Sequence, residues 1–271
     1  MTNKISMLIT LIKLIKSTFK WVFLALVLLG VVTTILYSIT EPKQSRNWIP
    51  AHARLASIEL SGDKSNPLID VNNVRDFQWQ DENPERYQAM QFQLDDIVEL
   101  TAVVSHFSAI SEIAHVFMTF VLNDGRELGV SIEARRERGE AFSIQGGLLG
   151  QFELIYVLAT PEDLLGIRRI NQEKVHVYPI KETKQKAQEM FLLIANEVEV
   201  LSKEPELYHL FFKNCTNQLV KHVSILTQEK YPWYFQTLAP GLAGLTLYEL
   251  GLIDLPDTGF EDIQEITLLK Y

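Results

Sequence analysis

The chain's one cysteine is the natural place to look for chemistry. Cys215 sits in Phe212-Lys213-Asn214-Cys215-Thr216-Asn217, and a helical pattern begins immediately after it. A thiol at a helix N-terminus meets unpaired backbone N–H groups and the positive end of the helix dipole, and both favour the thiolate. Lys213 adds positive charge nearby. The same residue also fits a small buried hydrophobe, the usual setting of a free cysteine. One cysteine excludes an internal disulfide framework.

A cysteine nucleophile needs a base, and the base is best oriented by a third polar group. Of the six histidines, His115 is distinguished by its surroundings. It opens an alternating stretch that places Val116, Met118, Phe120 and Leu122 on one face and His115, Phe117, Thr119 and Val121 on the other. A second stretch places Leu128, Val130 and Ile132 on one face and Glu127, Gly129, Ser131 and Glu133 on the other. Asn123-Asp124-Gly125 between them suits a three-residue hairpin loop with glycine in the left-handed position. That loop pairs Leu122 with Arg126 and therefore sets His115 opposite Glu133, with β-carbons about 5 Å apart. A two-residue turn would oppose apolar and polar faces, which burial disfavours. Cys215, His115 and Glu133 thus form a chemically complete nucleophile, base and orienter.

The elements that must hold these residues divide at about residue 180. Before it the period is two, with strands expected over 56–60, 97–104, 115–122, 127–133, 152–159 and 174–180. After it, Ala187, Met190, Phe191, Ile194, Ala195, Val198 and Leu201 mark one face of a helix over 185–203. Leu219, Val220, Val223 and Leu226 repeat the pattern over 216–228. A strand-rich half followed by a helical half predicts an α+β domain, with helices packed on one side of an antiparallel sheet.

The N-terminus is different in kind. Residues 1–20 carry Lys4, Lys13, Lys16 and Lys20 without an acid, and 21–40, WVFLALVLLGVVTTILYSIT, is uncharged. Twenty helical residues rise about 30 Å, the thickness of a bilayer's hydrocarbon core. Trp21 and Tyr37 stand near the ends, where aromatic rings favour the interface. The apolar run is too long for a typical signal peptide and lacks a small-residue cleavage site, so it reads as an uncleaved anchor. The basic flank keeps the N-terminus cytoplasmic and exports the rest. The organisation expected is a cytoplasmic lead (1–20), a transmembrane anchor (21–40), a polar linker (41–50) and one extracytoplasmic domain (51–271).

The formal net charge of −9 is then the sum of a +4 lead and a −13 exported part. Such a domain is a poor nucleic-acid binder, since that role needs a basic footprint. Any membrane contact beyond the anchor should be apolar and local. Neither metal nor cofactor is predicted: H-E-x-x-H, a Walker loop and a dinucleotide-binding glycine pattern are all missing, as is a G-x-S-x-G elbow.

Several runs resemble the Lnb N-terminal periplasmic domain family. They are Asn73-Val74-Arg75-Asp76-Phe77, Ile113 to Phe120, Asp124-Gly125-Arg126, Ser131 to Glu137 with Gly139-Glu140, Gln151 to Val157, Asn214-Cys215-Thr216 and Tyr248 to Ile253. The resemblance implies a His-before-Cys catalytic domain similar to circularly permuted papain-like enzymes, facing the periplasm from the inner membrane. The namesake is a lipoprotein N-acyltransferase that moves an acyl chain from a lipoprotein's glycerol lipid to its N-terminal amine. Carried over residue by residue, Cys215 is the nucleophile, His115 its base and Glu133 the orienter. Asn214, Thr216, Tyr156, Arg75, Arg135 and Arg136 match polar points of the pattern as site support; salt bridges and a hydrogen-bonded core tyrosine are the alternative roles of the last four. The implied activity is thioester-mediated acyl transfer on a membrane lipid or lipoprotein. Hydrolysis by an amidase, peptidase or lipase, or a scaffold without turnover, remain the alternatives.

Overall fold

The protein is described here by a computed structural model that covers residues 2–81, 84–227, 239–256 and 258–271, with side chains from residue 14 onward. Helix α1 (Thr2–Ile39) comes first. Its apolar stretch Leu14–Ile39 lies outside the protein core, and is long and apolar enough to cross a membrane.

The domain that follows is built on one sheet of eight strands among the described residues. They are β1 (Ser57–Ser61), β2 (Leu68–Arg75), β3 (Tyr87–Gln93), β4 (Ile97–His106), β5 (His115–Leu122), β6 (Glu127–Arg135), β7 (Glu153–Ala159) and β8 (Lys174–Pro179). Their spatial order is β1-β2-β7-β6-β5-β4-β8, with β3 paired to β2. Every pairing is antiparallel except β2 with β7. The helices are α2 (Ile144–Leu148), α3 (Pro161–Ile170), α4 (Lys184–Lys203), α5 (Cys215–Thr227), α6 (Ala243–Glu249) and α7 (Phe260–Thr267). Residue 228, the last of the second expected helix, lies outside the described residues.

The fold is α+β with a mostly antiparallel sheet, as the change of period predicts. The buried face of α4 consists of the seven apolar residues named from the sequence, and Thr183 caps the helix by accepting the Lys186 N–H at 3.2 Å. This face and α5 cover the larger core, which contains Val116, Met118, Phe120, Ile132 and Cys215. The other face is not open. Leu164 of α3 packs there with Val103, Phe117, Ile155 and Val157 in a second core, so helices cover both faces rather than one. Gly129 makes that approach possible, because a β-carbon on it would stand 2.4 Å from Leu164 Cδ1.

The β5–β6 hairpin has the loop its sequence calls for. The Leu122 N–H donates to the Arg126 carbonyl at 2.8 Å, and Gly125 has φ +84°. Met118 pairs with Val130, and the same register continued to the strand start sets His115 opposite Glu133. Two further strands, β2 and β3, escape the sequence reading. In β2, a bulge at Asn73, with φ +56°, interrupts the period-two pattern.

Residues 41–50 are a packed strap rather than a free linker. The Lys43 N–H donates to Glu153, Gln44 reaches the Ser202 carbonyl at 2.6 Å, and Arg46 pairs with Glu137. Trp48 is buried, with the Arg135 guanidinium 4.1 Å from its ring centroid. The strap ends at His52, which is 1% exposed.

Candidate active site

Cys215 is the first residue of α5, and Asn214 before it is the cap. The Asn214 side-chain oxygen accepts the Asn217 N–H at 2.9 Å, and the Asn217 side-chain oxygen accepts the Asn214 N–H at 2.7 Å. The Asn214 amide also donates to the Leu210 carbonyl at 2.6 Å. This reciprocal cap fixes where the helix starts and hence where the thiol points.

His115 shares its sheet face with Phe117, on which its ring stacks, whereas Cys215 arrives on a helix covering the opposite face. They meet because His115 is the first residue of β5, where a side chain can be reached around the strand end. Cys215 is 8% exposed, and its thiol lies within the influence of the His115 ring. Burial pushes the thiol up. The positive charge and hydrogen bond of His115, the backbone N–H of Val116 and the Thr216 hydroxyl together outweigh burial and bring it down to about 7. Thr216 Oγ1 lies 3.7 Å from the sulfur.

The histidine does not touch Glu133 directly. Its Nε2 is 2.7 Å from Ser131 Oγ, and Ser131 Oγ donates to Glu133 Oε1 at 2.9 Å. Glu133 Oε2 is in turn 2.9 Å from Nε2 of His52. The protons along this relay follow from its far end. The backbone N–H of Arg136 can only donate, so His52 Nδ1, 3.0 Å away, is an acceptor. Neutral His52 therefore carries its proton on Nε2 and donates to Glu133. Because Ser131 spends its hydroxyl proton on Glu133, it accepts from His115 Nε2–H. That leaves His115 Nδ1 unprotonated and available to the thiol (a tautomer assigned from the bonding pattern).

The electrostatics agree with that inventory. Burial lowers His52 despite its carboxylate partner, which keeps it neutral near pH 7. Burial raises Glu133, but the His52 hydrogen bond and the Arg75 guanidinium, with the two neighbouring imidazoles, overcome this and hold it well below the usual carboxylate range. The relay is thus a neutral imidazole, a carboxylate, a hydroxyl and a second imidazole ending on the thiol.

The remaining predicted site residues separate by role. Arg75 is buried and forks onto Asp163, with Nε–Oδ2 at 2.9 Å and Nη2–Oδ1 at 2.8 Å, while its Nη1 holds the Ala51 carbonyl at 3.0 Å. Arg135 is buried between Trp48, Glu153 and the His52 carbonyl, which it holds at 3.1 Å. Both arginines secure the strap that delivers His52. Arg136 contributes its backbone N–H. Tyr156 is a core residue whose hydroxyl is 3.1 Å from His222 Nε2, one side chain of α5 but not the cysteine.

Two members of the relay escape the sequence. Ser131 carried a signal, a hydroxyl two positions before Glu133 on the same strand face. His52 carried none, since it comes from a separate segment. No group of three or more metal-ligating side chains occurs among the described residues.

A family model, the Lnb N-terminal periplasmic domain, matches residues 83–241. The chain belongs to that family. The match spans Cys215, His115, Ser131 and Glu133, whereas His52 and Arg75 lie upstream of it. No curated protein and no solved structure matches. An Lnb-type periplasmic domain behind an N-terminal helix long and apolar enough to cross a membrane, the one such helix among the described residues, is consistent with a membrane-associated envelope protein.

Proposed function

We propose that the domain is a cysteine acyltransferase working through a thioester, held by residues 21–40 in the inner membrane with its catalytic end in the periplasm. The observation that carries this reading is the Cys215–His115 pair, with its thiol at about 7 and a relay fixing the histidine tautomer. The thiolate attacks an ester carbonyl, forming a C–S bond. As the C–O bond breaks, the His115 imidazolium protonates the leaving alkoxide. An amine then attacks the thioester, forming a C–N bond and breaking the C–S bond. His115 takes the amine proton, and the thiolate–imidazolium pair is restored. The Val116 N–H and the Cys215 and Thr216 N–H groups that open α5 are suited to the oxyanion.

Transfer of an acyl chain, rather than cleavage of a peptide, is supported by an apolar cavity of about 160 Å³. Its lining includes Val116 and Thr216, the sequence neighbours of His115 and Cys215, and it runs between α4, α5 and α6 past Met118, Met190, Leu219 and Leu247. A hydrocarbon chain attached at the reacting carbonyl fits that lining, whereas a peptide would leave its amides unpaired there.

The test is mass spectrometry of lipoprotein N-termini from cells with and without the protein, together with Cys215→Ala and His115→Ala. Loss of N-terminal acylation in the deletion and in both variants is the expected result. Unchanged acylation would refute acyl transfer to lipoproteins and leave hydrolysis as the better reading.

A further inference from the structure

The relay lies at one end of the sheet, and that end is also where α1 joins the domain. Tyr37, in the last turn of α1, donates to the Leu207 carbonyl at 3.0 Å, and its ring meets His209 edge-on at 4.8 Å. Tyr37 and Thr40 pack against Gly150, and the Lys43 N–H reaches Glu153 at the start of β7. The helix is therefore seated on the loop that leads into Cys215, not tethered at a distance. With α1 in a bilayer, these contacts fix which end of the domain faces it.

That end is also apolar. Phe212 is 75% exposed and stacks at 4.7 Å on His209, the ring that receives Tyr37. Ile144 is 62% exposed, at the start of α2 in the connection between β6 and β7. Phe142 beside it is exposed and packs edge-on against Tyr208. Phe107 and Ile110, exposed in the β4–β5 loop, complete the rim immediately before His115. Among the described residues of the domain, all exposed phenylalanines fall in these three loops. Aromatic and aliphatic side chains at this position cost free energy in water and gain it in the headgroup–acyl boundary. The exported part carries a net −13, so attraction to anionic lipid does not supply the contact.

We propose that Phe212, Ile144 and Phe142, with Phe107 and Ile110, form a membrane-inserting rim that seats the catalytic end of the domain on the bilayer in which α1 is anchored. The occupant of this surface is lipid. Resting on the acyl-transfer reading, the rim presents ester carbonyls at headgroup depth to Cys215, so that the lipid substrate is used without leaving the membrane. A soluble protein partner or a second copy of the chain would instead leave these side chains away from acyl chains.

The full chain is reconstituted in phosphatidylcholine vesicles in a Cys215→Ala background. A single cysteine is introduced by Phe212→Cys or Ile144→Cys and labelled with an environment-sensitive fluorophore. Nitroxides on the lipid acyl chains should quench the label at both positions, equally at about 0.1 M and 1 M salt, because the contact is apolar. Ile225→Cys is the control, an exposed residue of α5 about 15 Å further along the helix, and its label should not be quenched. Labels at 212 and 144 that behave like the one at 225 would overturn the proposal. In the active chain, Phe212→Ser with Ile144→Ser should lower turnover of vesicle-embedded substrate by about tenfold with Cys215 alkylation unchanged. Unchanged turnover would overturn the presentation of substrate. The quenching experiment needs no activity, so it stands or fails separately from acyl transfer.

Discussion

Replacing Ser131 by alanine removes one hydroxyl and breaks the relay at its centre. His115 Nε2 loses its partner at 2.7 Å, and Glu133 Oε1 loses its donor at 2.9 Å. When His115 takes a proton from the thiol, the imidazolium is stabilised through this hydroxyl by the Glu133 charge. Hydrogen bonds involving ionised groups contribute about 1.5–3 kcal/mol. Losing that amount from the transition state lowers kcat/KM by roughly 10- to 150-fold. The same energy separates neutral from protonated His115, so Cys215 in S131A should titrate about 1–2 units higher at 1.36 kcal/mol per unit. The assay is the pH dependence of Cys215 alkylation by a small haloacetamide, which needs no substrate. Thermal melting reads any loss of stability separately. Ser131→Thr, which keeps the hydroxyl, should restore most of the wild-type profile. An S131A protein that is folded and whose thiol still titrates near 7 would refute the relay.

Alkylation of wild-type Cys215 should rise about tenfold per pH unit up to about 7 and then level; the thiolate is the deprotonated form, so reactivity is lost as pH falls through that value. His52→Gln, whose side-chain amide can still donate to Glu133, should retain more activity than His52→Ala in a side-by-side turnover assay. Asp163→Asn takes from the buried Arg75 guanidinium the carboxylate it forks onto, and denaturant unfolding should show a loss of about 3–5 kcal/mol.

How far this site could be read from sequence depends on the range of the interaction. The hairpin was legible because Asn123-Asp124-Gly125 and the two alternating faces admit one register, and that register alone places His115 near Glu133. The buried face of α4 was legible for the same reason, its spacing. Ser131 was visible on the right face, but pairing of α-carbons does not say which of two neighbouring side chains reaches an imidazole. His52 depends on the strap 41–50 turning back along the domain. That path is set by Trp48 packing on Arg135 and by Arg46 meeting Glu137, contacts between residues distant in sequence. Arg75 and Arg135 hold this architecture together, the first through Asp163 and the Ala51 carbonyl, the second through Trp48, Glu153 and the His52 carbonyl. A guanidinium that binds a carboxylate of the chain has the same sequence signature as one that binds substrate. The apolar span and the acidic domain behind it are compositional and needed no structure to be seen.

The central claim is that an acyl group passes through the sulfur of Cys215. Intact-mass spectrometry of the purified chain, quenched in acid after brief exposure to a diacylglyceryl lipoprotein without an acceptor amine, tests it most directly. The account predicts a mass increase of one acyl chain on Cys215, released by hydroxylamine and lost in Cys215→Ala. Product formation by Cys215→Ala, or an adduct mapped to another residue, would contradict it.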